Sequence, residues 1–203
     1  MRELAILSFV TLDGVMQSPT SPEEDSSGGF TGGGWGAPYW EQVMPQVYAE
    51  AMSEPYDLLF GRKTYEVFSG HWPNVSPDED PVSARLNGGH KYVVTRSAEG
   101  PLAWGPATRM SEDVVGEIAR LKAGDGPLIQ VHGSAELIQT LLAHDLIDEY
   151  RLWTFPVVVG GGKRLFADGA VPRNLELVRI GSTENGVVMS IYRRGERSPA
   201  PMA

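Results

Sequence analysis

Residues 128–142 read LIQVHGSAELIQTLL, and this stretch decides the class of fold. It begins with the apolar run Leu128–Val131, which predicts a buried strand, and continues through the small-residue turn His132–Ser134. Apolar residues then recur at the spacing that is typical of an amphipathic helix, and they are Leu137, Ile138, Leu141 and Leu142. A buried strand that runs through a tight turn into a helix is the repeating unit of a parallel α/β sheet.

The same unit recurs along the chain. Further strands are predicted at Leu4–Leu12, Asp57–Phe60 and Lys91–Thr95, and further amphipathic helices at Trp40–Met52, after Gly61 and from Ser111 to Leu121. Pro45 either kinks the helix that contains it or marks its first turn. Because strands alternate with helices, right-handed crossovers and a mainly parallel sheet are expected.

The C-terminal part departs from this alternation. Asn185-Gly186 separates the apolar runs Leu175–Ile180 and Val187–Tyr192, which predicts an antiparallel hairpin. Pro156 interrupts the run Tyr150–Val159, and this favours an edge strand or a bulge over a central strand. The fold class is therefore a mixed α/β sandwich with the hairpin at one side. We expect a single domain over residues 1–194 and a flexible tail over residues 195–203.

Composition excludes several classes of protein. The chain has 203 residues and a formal net charge of −9, which disfavours binding to nucleic acid. It has no cysteine, so disulfides, thiolate metal sites and a cysteine nucleophile are excluded, and a reducing cytoplasm is the expected location. Its four histidines show no metal-ligand spacing, and no apolar run is long enough to span a membrane. We therefore expect neither a metal nor a membrane partner.

Three predicted strand ends carry small or cationic residues of the kind that bind anions. The groups are Gly61, Arg62, Lys63 and Thr64; Thr95, Arg96 and Ser97; and Gly133, Ser134 and Ala135. A turn that opens a helix presents unpaired N–H groups and a positive dipole to a ligand, although a glycine there can also serve only the turn. Neither a G-x-G-x-x-G nor a P-loop motif is present. Three such ends in one sheet suit a ligand with several phosphates.

The order of these motifs resembles the dihydrofolate reductase superfamily, in particular the C-terminal reductase domain of the bifunctional riboflavin-biosynthesis deaminase/reductase. The segments that carry the resemblance are residues 11–14 (TLDG), 61–66 (GRKTYE), 95–97 (TRS), 131–134 (VHGS), 146–149 (LIDE) and 155–162 (FPVVVGGG). The resemblance as a whole extends over roughly residues 2–194. The resemblance implies a three-layer sandwich of the dihydrofolate reductase type, and a homodimer for which the strand Tyr150–Val159 could supply the surface.

The resemblance also implies an NADPH site. Arg62 and Thr64 would lie along the cofactor phosphates, and Arg96 and Ser97 would approach the adenosine 2′-phosphate. Gly133, Ser134 and Ala135 would hold the pyrophosphate. The expected function is a hydride transfer from NADPH to a small planar heterocycle, pterin-like or ribitylamino-pyrimidine-like. The alternative is a non-catalytic nucleotide-binding protein that keeps the reductase fold.

Candidates for the chemistry itself are fewer. Dihydrofolate reductases carry an acid on the first long helix, and here the comparable stretch, Trp40–Tyr48, offers only Glu41, at its start, so dihydrofolate is not clearly the substrate. Asp13, at the end of the first strand, is the first candidate for orienting the substrate or handling a proton, and it could instead cap a turn. The aromatic residues that could stack on a planar substrate are Trp35, Tyr39, Trp40 and Tyr48, which could equally belong to the core. Six glycines in residues 26–36 predict a mobile loop.

Overall fold

One eight-stranded sheet organises the molecule in the computed structural model, which describes residues 1–97 and 100–195. The strands are β1 (Leu4–Thr11), β2 (Tyr56–Gly61), β3 (Lys91–Val94), β4 (Ala107–Met110), β5 (Leu128–Gly133), β6 (Glu149–Phe155), β7 (Leu175–Ser182) and β8 (Val188–Arg194). Their order in the sheet is β4-β3-β2-β5-β1-β6-β8-β7. The first six strands run parallel, and β8 is antiparallel to both of its neighbours. The predicted mixed α/β sandwich with a C-terminal hairpin is confirmed.

Helices cover both faces of this sheet. They are α1 (Trp40–Val47), α2 (Arg62–His71), α3 (Val82–Gly88), α4 (Val114–Ala123) and α5 (Ala135–Ala143). Apolar residues of α1, α2 and α3 pack into one core, and those of α4 and α5 pack into a second core on the opposite face. Strand β1 contributes Leu7 to the first core and Ile6 to the second, because successive side chains of a strand point to opposite faces. No helix in the described part of the chain is long and apolar enough to cross a membrane.

The strand that contains Tyr150 was predicted to be an edge strand or to contain a bulge, and this prediction is wrong, since its register with both neighbours is continuous. Strand β6 lies inside the sheet, where it pairs with β1 on one side and with β8 on the other. It ends at Phe155, so Pro156 lies just outside it and removes no hydrogen bond from the ladder. Trp153 and Phe155 are fully buried. The strand Tyr150–Val159 therefore offers no open edge to a second copy of the chain.

Other differences from the sequence analysis are local. Strand β4 and helix α3 were not predicted, because each is short and neither shows a clear apolar period. Helix α1 continues into a single π-helical turn at Tyr48–Met52 and contains Pro45 in its interior. The expected tail falls mostly on residues 196–203, which lie outside the described residues. Gly195 is described, and its N–H donates to the carbonyl of Asn174.

Candidate functional site

The carboxyl ends of β2, β3 and β5 meet at one edge of the sheet. Gly61 pairs with Val94 across β2 and β3, and Phe60 pairs with Gly133 across β2 and β5. A cleft of about 670 Å³ opens above these ends. Its lining includes every residue of the three predicted anion-binding groups, namely Gly61, Arg62, Lys63, Thr64, Thr95, Arg96, Ser97, Gly133, Ser134 and Ala135. The structure therefore brings together residues that lie more than 70 positions apart in the sequence.

Two glycines allow β2 and β5 to approach closely at the floor of the cleft. A Cβ added at Gly61 would lie 2.9 Å from Ser134 Cβ and 3.1 Å from Ser134 N. A Cβ added at Gly133 would lie 2.7 Å from Thr64 Oγ1, and Gly133 has a φ of +146°, which disfavours any other residue. The strand ends thus form a cradle of backbone and hydroxyl groups that any side chain at either glycine would fill.

Both helices that begin at this cradle have N-termini without a side-chain cap. Gly61 precedes α2 and Ser134 precedes α5, and neither residue caps its helix through a side-chain hydrogen bond. The first N–H groups of a helix have no partner within the helix, and the helix dipole places partial positive charge there. Since the two helices are 10 and 9 residues long, both ends can attract an anion.

Cationic side chains add formal charge to the same wall. Arg62 Nε donates to Glu66 at 2.6 Å, whereas Arg62 Nη1 is buried and has no hydrogen-bond partner. A buried guanidinium N–H without an acceptor is unfavourable unless a ligand supplies one. Lys63 and Arg96 line the cleft and are exposed. The orphaned Nη1 and the glycine cradle together fit the phosphates of a dinucleotide.

Asp13, the first candidate for catalysis, lies outside the lining of the cleft. Its carboxylate accepts hydrogen bonds from Thr11 Oγ1 at 2.6 Å and from the N–H groups of Gly160 at 2.9 Å and Val159 at 3.3 Å. These bonds, of which that from Thr11 has the largest effect, outweigh partial desolvation and lower the pKa of Asp13 to about 2. The ionised side chain ties the end of β1 to the turn at Gly160. Its catalytic role stays a prediction.

Glu41 is also outside the cleft lining, and it is exposed in the first turn of α1. An acid at that position is favoured by the helix dipole alone. Its role in catalysis stays a prediction as well. In the cleft lining itself, the carboxylates are those of Glu24, Asp25 and Glu136.

The four aromatic candidates lie behind the cleft wall and do not line the cleft. Trp40 contacts Phe9 edge-on, with ring centroids 4.8 Å apart, and Phe9 does line the cleft. Trp35 and Tyr39 pack edge-on against Phe155, and the indole N–H of Trp35 donates to a backbone carbonyl. Tyr48 packs against the same core. In this structure Trp40 supports Phe9 and the other three rings belong to the core behind it, so substrate stacking by the four rings stays a prediction.

A further part of the cleft lining, which was not predicted from the sequence, is formed by residues 16–20, 24 and 25 and by Lys163. Gln17 is buried, and its amide donates to the carbonyls of Asp25 and Ser27 while it accepts from the N–H of Lys163. Lys163 Nζ pairs with the Asp25 carboxylate at 2.5 Å. Burial alone would raise the pKa of Asp25, but hydrogen bonds from Lys163 and Ser27 lower it to about 2. No sequence pattern links groups 138 positions apart.

A family model for the RibD C-terminal domain matches residues 2–189. The chain belongs to this family. It is 30% identical over 167 residues to YyaP of Bacillus subtilis (strain 168), a protein of uncharacterised function, and the match covers 81% of this chain and 88% of YyaP. It is 33% identical over 109 residues to YwjB of the same organism, also uncharacterised, with 54% of this chain and 57% of YwjB covered.

Solved structures of similar fold agree with this assignment. A protein from Shewanella sp. PV-4, described as a candidate riboflavin biosynthesis protein, superposes with a TM-score of 0.65 at 18% identity over 97% of this chain and all of its own. A pyrimidine reductase-like protein from Corynebacterium diphtheriae gives 0.61 at 12% identity over 96% and 92%. Dihydrofolate reductase from Enterococcus faecalis, complexed with NADP(H) and RAB-propyl, gives 0.59 at 14% identity over 96% and 97%. The fold is that of the dihydrofolate reductases, and the family assignment supports an oxidoreductase.

Proposed function

We propose that the protein is an NADPH-dependent reductase that transfers a hydride to a small planar heterocycle. The observation that carries the proposal is the convergence of three strand ends with small and cationic residues on one cleft. A dinucleotide carries several phosphates and can bind to several such strand ends at once, whereas a turn with a purely structural role requires no cationic side chain. Because the net charge of the chain is −9, a cluster of cationic residues at one edge of the sheet indicates an anion-binding site more strongly than it would in a basic protein.

The residues of the cleft divide the tasks of binding. Arg62 and Thr64 would hold phosphate at the start of α2, and Ser134 with Ala135 would hold the pyrophosphate at the start of α5. Arg96 follows β3 and would favour a 2′-phosphate, since discrimination against NADH calls for a cation at that position. NADPH, when bound, supplies the hydride.

The remaining part of the cleft would take the substrate. Its lining includes the apolar side chains of Leu7 and Phe9 from β1 and Phe68 from α2, which suit a flat ring and exclude water. The segment with Gln17 and Asp25 also lines the cleft. These residues align the acceptor and keep the reacting atoms dry, and alignment of two bound reactants is itself a large part of catalysis.

Fluorescence titration with NADPH and NADH tests the cofactor assignment. The variant Arg96→Gln is expected to weaken NADPH binding by about tenfold, a typical value for a lost charge-assisted contact, and to leave NADH binding unchanged. Arg120→Gln is the matched control, because Arg120 is exposed on α4 and does not line the cleft. Equal affinity of the wild type for the two cofactors, or an equal loss for both in Arg96→Gln, would refute the assignment of Arg96.

Oxidation of bound NADPH is then measured with pterins, a ribitylamino-pyrimidine and simple carbonyl compounds. Turnover with a heterocycle is the expected result. Binding of NADPH without turnover across the panel would support a nucleotide-binding protein that has lost the chemistry. That second function is favoured by one observation, namely that Asp13 and Glu41 both lie outside the lining of the cleft.

We also propose that two copies of the chain pair through β7. This strand ends the sheet, so one of its edges has no strand partner among the described residues. Leu177, Val178 and Ile180 on β7 are 53%, 55% and 64% exposed. Exposed apolar side chains on an open edge favour pairing with another edge, and a second copy provides an identical one.

A further inference from the structure

His132 is a polar residue in a largely aromatic part of the cleft wall. It lies on β5, borders the cleft, and its ring centroid is 5.6 Å from that of Phe68 and 6.2 Å from that of Phe60. None of the roles assigned above uses its imidazole. Because a neutral imidazole has one donor and one acceptor nitrogen, what His132 can recognise depends on which nitrogen carries the proton.

Neighbouring side chains determine that proton's position. The guanidinium of Arg151 can only donate, and its Nη1 lies 3.2 Å from Gln130 Oε1. The Gln130 oxygen must therefore face Arg151, which leaves the Gln130 NH₂ group 2.9 Å from His132 Nε2. Since an amide NH₂ only donates, His132 Nε2 accepts, and the proton of the neutral ring is on Nδ1.

The ring is also held neutral. Burial, with a smaller contribution from the positive charge of Arg151, lowers the pKa of His132 to about 3. The guanidinium of Arg151 is held in place by its Nε, which pairs with the buried carboxylate of Glu149 at 2.6 Å. Glu149 in turn pairs with Arg193. An imidazolium at neutral pH is therefore disfavoured, and Nδ1–H is the single donor that His132 offers.

This donor is open to a ligand. His132 Nδ1 is not among the described side-chain nitrogen and oxygen atoms that are both buried and without a hydrogen-bond partner, which are Tyr56 Oη, Arg62 Nη1 and Ser83 Oγ. Within residues 1–97 and 100–195, the only hydrogen-bond partner of the His132 side chain is Gln130. An atom that has no partner and is not buried must be accessible, so His132 Nδ1 is accessible. The open space that His132 borders is the cleft.

We infer that His132 is a specificity-determining residue whose Nδ1–H donates to a carbonyl oxygen on the edge of a planar heterocyclic substrate. Gln130 and Arg151 act as positioning residues for this donor. The inference rests on the proposed function insofar as the cleft takes a heterocycle as substrate. It goes further by assigning the substrate class, which is a ring with an oxo group at this edge. An amino group there would face His132 Nδ1–H as a second donor, and both groups would be left without an acceptor.

The tautomer is tested first, without any substrate. Long-range ¹⁵N–¹H correlation spectra of ¹⁵N-histidine-labelled protein at pH 7 should show His132 as the neutral ring with its proton on Nδ1. In the variant Gln130→Glu, recorded at pH 9, the proton should move to Nε2, because a carboxylate can only accept. A wild-type ring protonated on Nε2, or on both nitrogens, would overturn the inference.

The substrate class is tested by calorimetry with pterin and 2,4-diaminopteridine, which differ by an oxo and an amino group at one ring position. Wild type should prefer pterin by about tenfold, a typical effect of one hydrogen bond against one mismatch. His132→Phe, which keeps an aromatic ring against Phe68, should bind the two compounds equally, and Gln130→Glu should reverse the preference. His144→Gln, at an exposed position outside the cleft lining, serves as the control.

The outcomes separate this inference from the proposed function. A preference for pterin that disappears in His132→Phe supports the role of His132, whether or not the protein binds NADPH. If NADPH does not bind, only the assignment as a reductase fails. Equal binding of both compounds by the wild type, or binding of neither, overturns the assigned substrate class. An unchanged preference in His132→Phe overturns the role of His132.

Discussion

Replacing Gly61 by alanine should disrupt the floor of the cleft. The backbone of Gly61 has φ −74° and ψ 156°, which alanine adopts without strain, so the added methyl group is the whole perturbation. That methyl would lie 2.9 Å from Ser134 Cβ, 3.1 Å from Ser134 N and closer still to Ser134 Oγ. Rotation of the Ser134 side chain moves only Oγ. The end of β5 must therefore shift away from β2.

The expected size of the effect follows from this overlap. Overpacking of a close contact typically costs about 1–3 kcal/mol. For a domain of this length, about 2 kcal/mol corresponds to a fall in Tm of roughly 4–8 °C. The shift of Ser134 also moves the first N–H groups of α5 away from the position proposed for the pyrophosphate, so NADPH affinity should fall by about tenfold, or about 1.4 kcal/mol.

Two variants show whether the contact with Ser134 is the cause. In Gly61→Ala/Ser134→Gly the Cβ and Oγ of residue 134 are absent, so most of the loss in Tm should be recovered although the methyl at residue 61 remains. Gly70→Ala is the control on the same helix, because a Cβ at Gly70 has no atom within 4 Å. It should raise the Tm slightly through helix propensity.

Thermal unfolding and NADPH titration of these variants are the assays. The reasoning is refuted if Gly61→Ala keeps the wild-type Tm and NADPH affinity. It is equally refuted if the double variant is as unstable as the sum of the two single variants, because additivity would mean that residues 61 and 134 do not interact.

Three further predictions concern ion pairs, a buried lysine and the sheet edge. Because the pKa of Asp25 is lowered in the folded state, its ionised form stabilises the fold above pH 4, and this contribution is lost as the pH falls towards 2. The side chains of Asp25 and Lys163 are both partly exposed, so Lys163→Met should lower the free energy of unfolding by only about 1 kcal/mol at pH 6. The same variant should make the free energy of unfolding less dependent on pH between 4 and 2. Burial lowers the pKa of Lys91 to about 8, so between pH 8 and 10 the lysine is mostly protonated in the unfolded chain and mostly neutral in the folded one. The free energy of unfolding should therefore rise over this pH range. Chemical denaturation at a series of pH values should show the rise in the wild type and not in Lys91→Met. For the proposed dimer, light scattering should give twice the chain mass, and Ile180→Glu should give the monomer mass; a monomeric wild type would contradict the pairing.

The grouping of the three candidate anion-binding segments in one cleft could be predicted from the sequence because its signals are local. Each of the three groups follows a short apolar run directly, and the carboxyl ends of parallel strands meet at one edge of a sheet whatever the order of the strands. The residues around Gly61, Arg96 and Ser134 therefore line one cleft, as their positions after three predicted strands require.

The positions of Asp13 and the aromatic candidates could not be predicted in this way. Asp13 follows a predicted strand too, but its partner Gly160 is 147 positions away, and this pairing is what takes its carboxylate away from the cleft. Trp40 was correctly placed on a helix, whereas its contact with Phe9 depends on which strand lies below that helix. Helical spacing tells which residues share a face and not what that face covers.

The sequence by itself determined the α/β class, the run of parallel strands and the nature of the residues at three strand ends, because apolar period and turn chemistry act over a few residues. Only the tertiary structure decided that β6 is interior, that Lys163 pairs with Asp25 at the cleft, and that Gln130 contacts His132 Nε2. The reason is physical. Strand order and buried polar networks depend on contacts between distant segments, and the energies of those contacts exist only once the chain has brought the segments together.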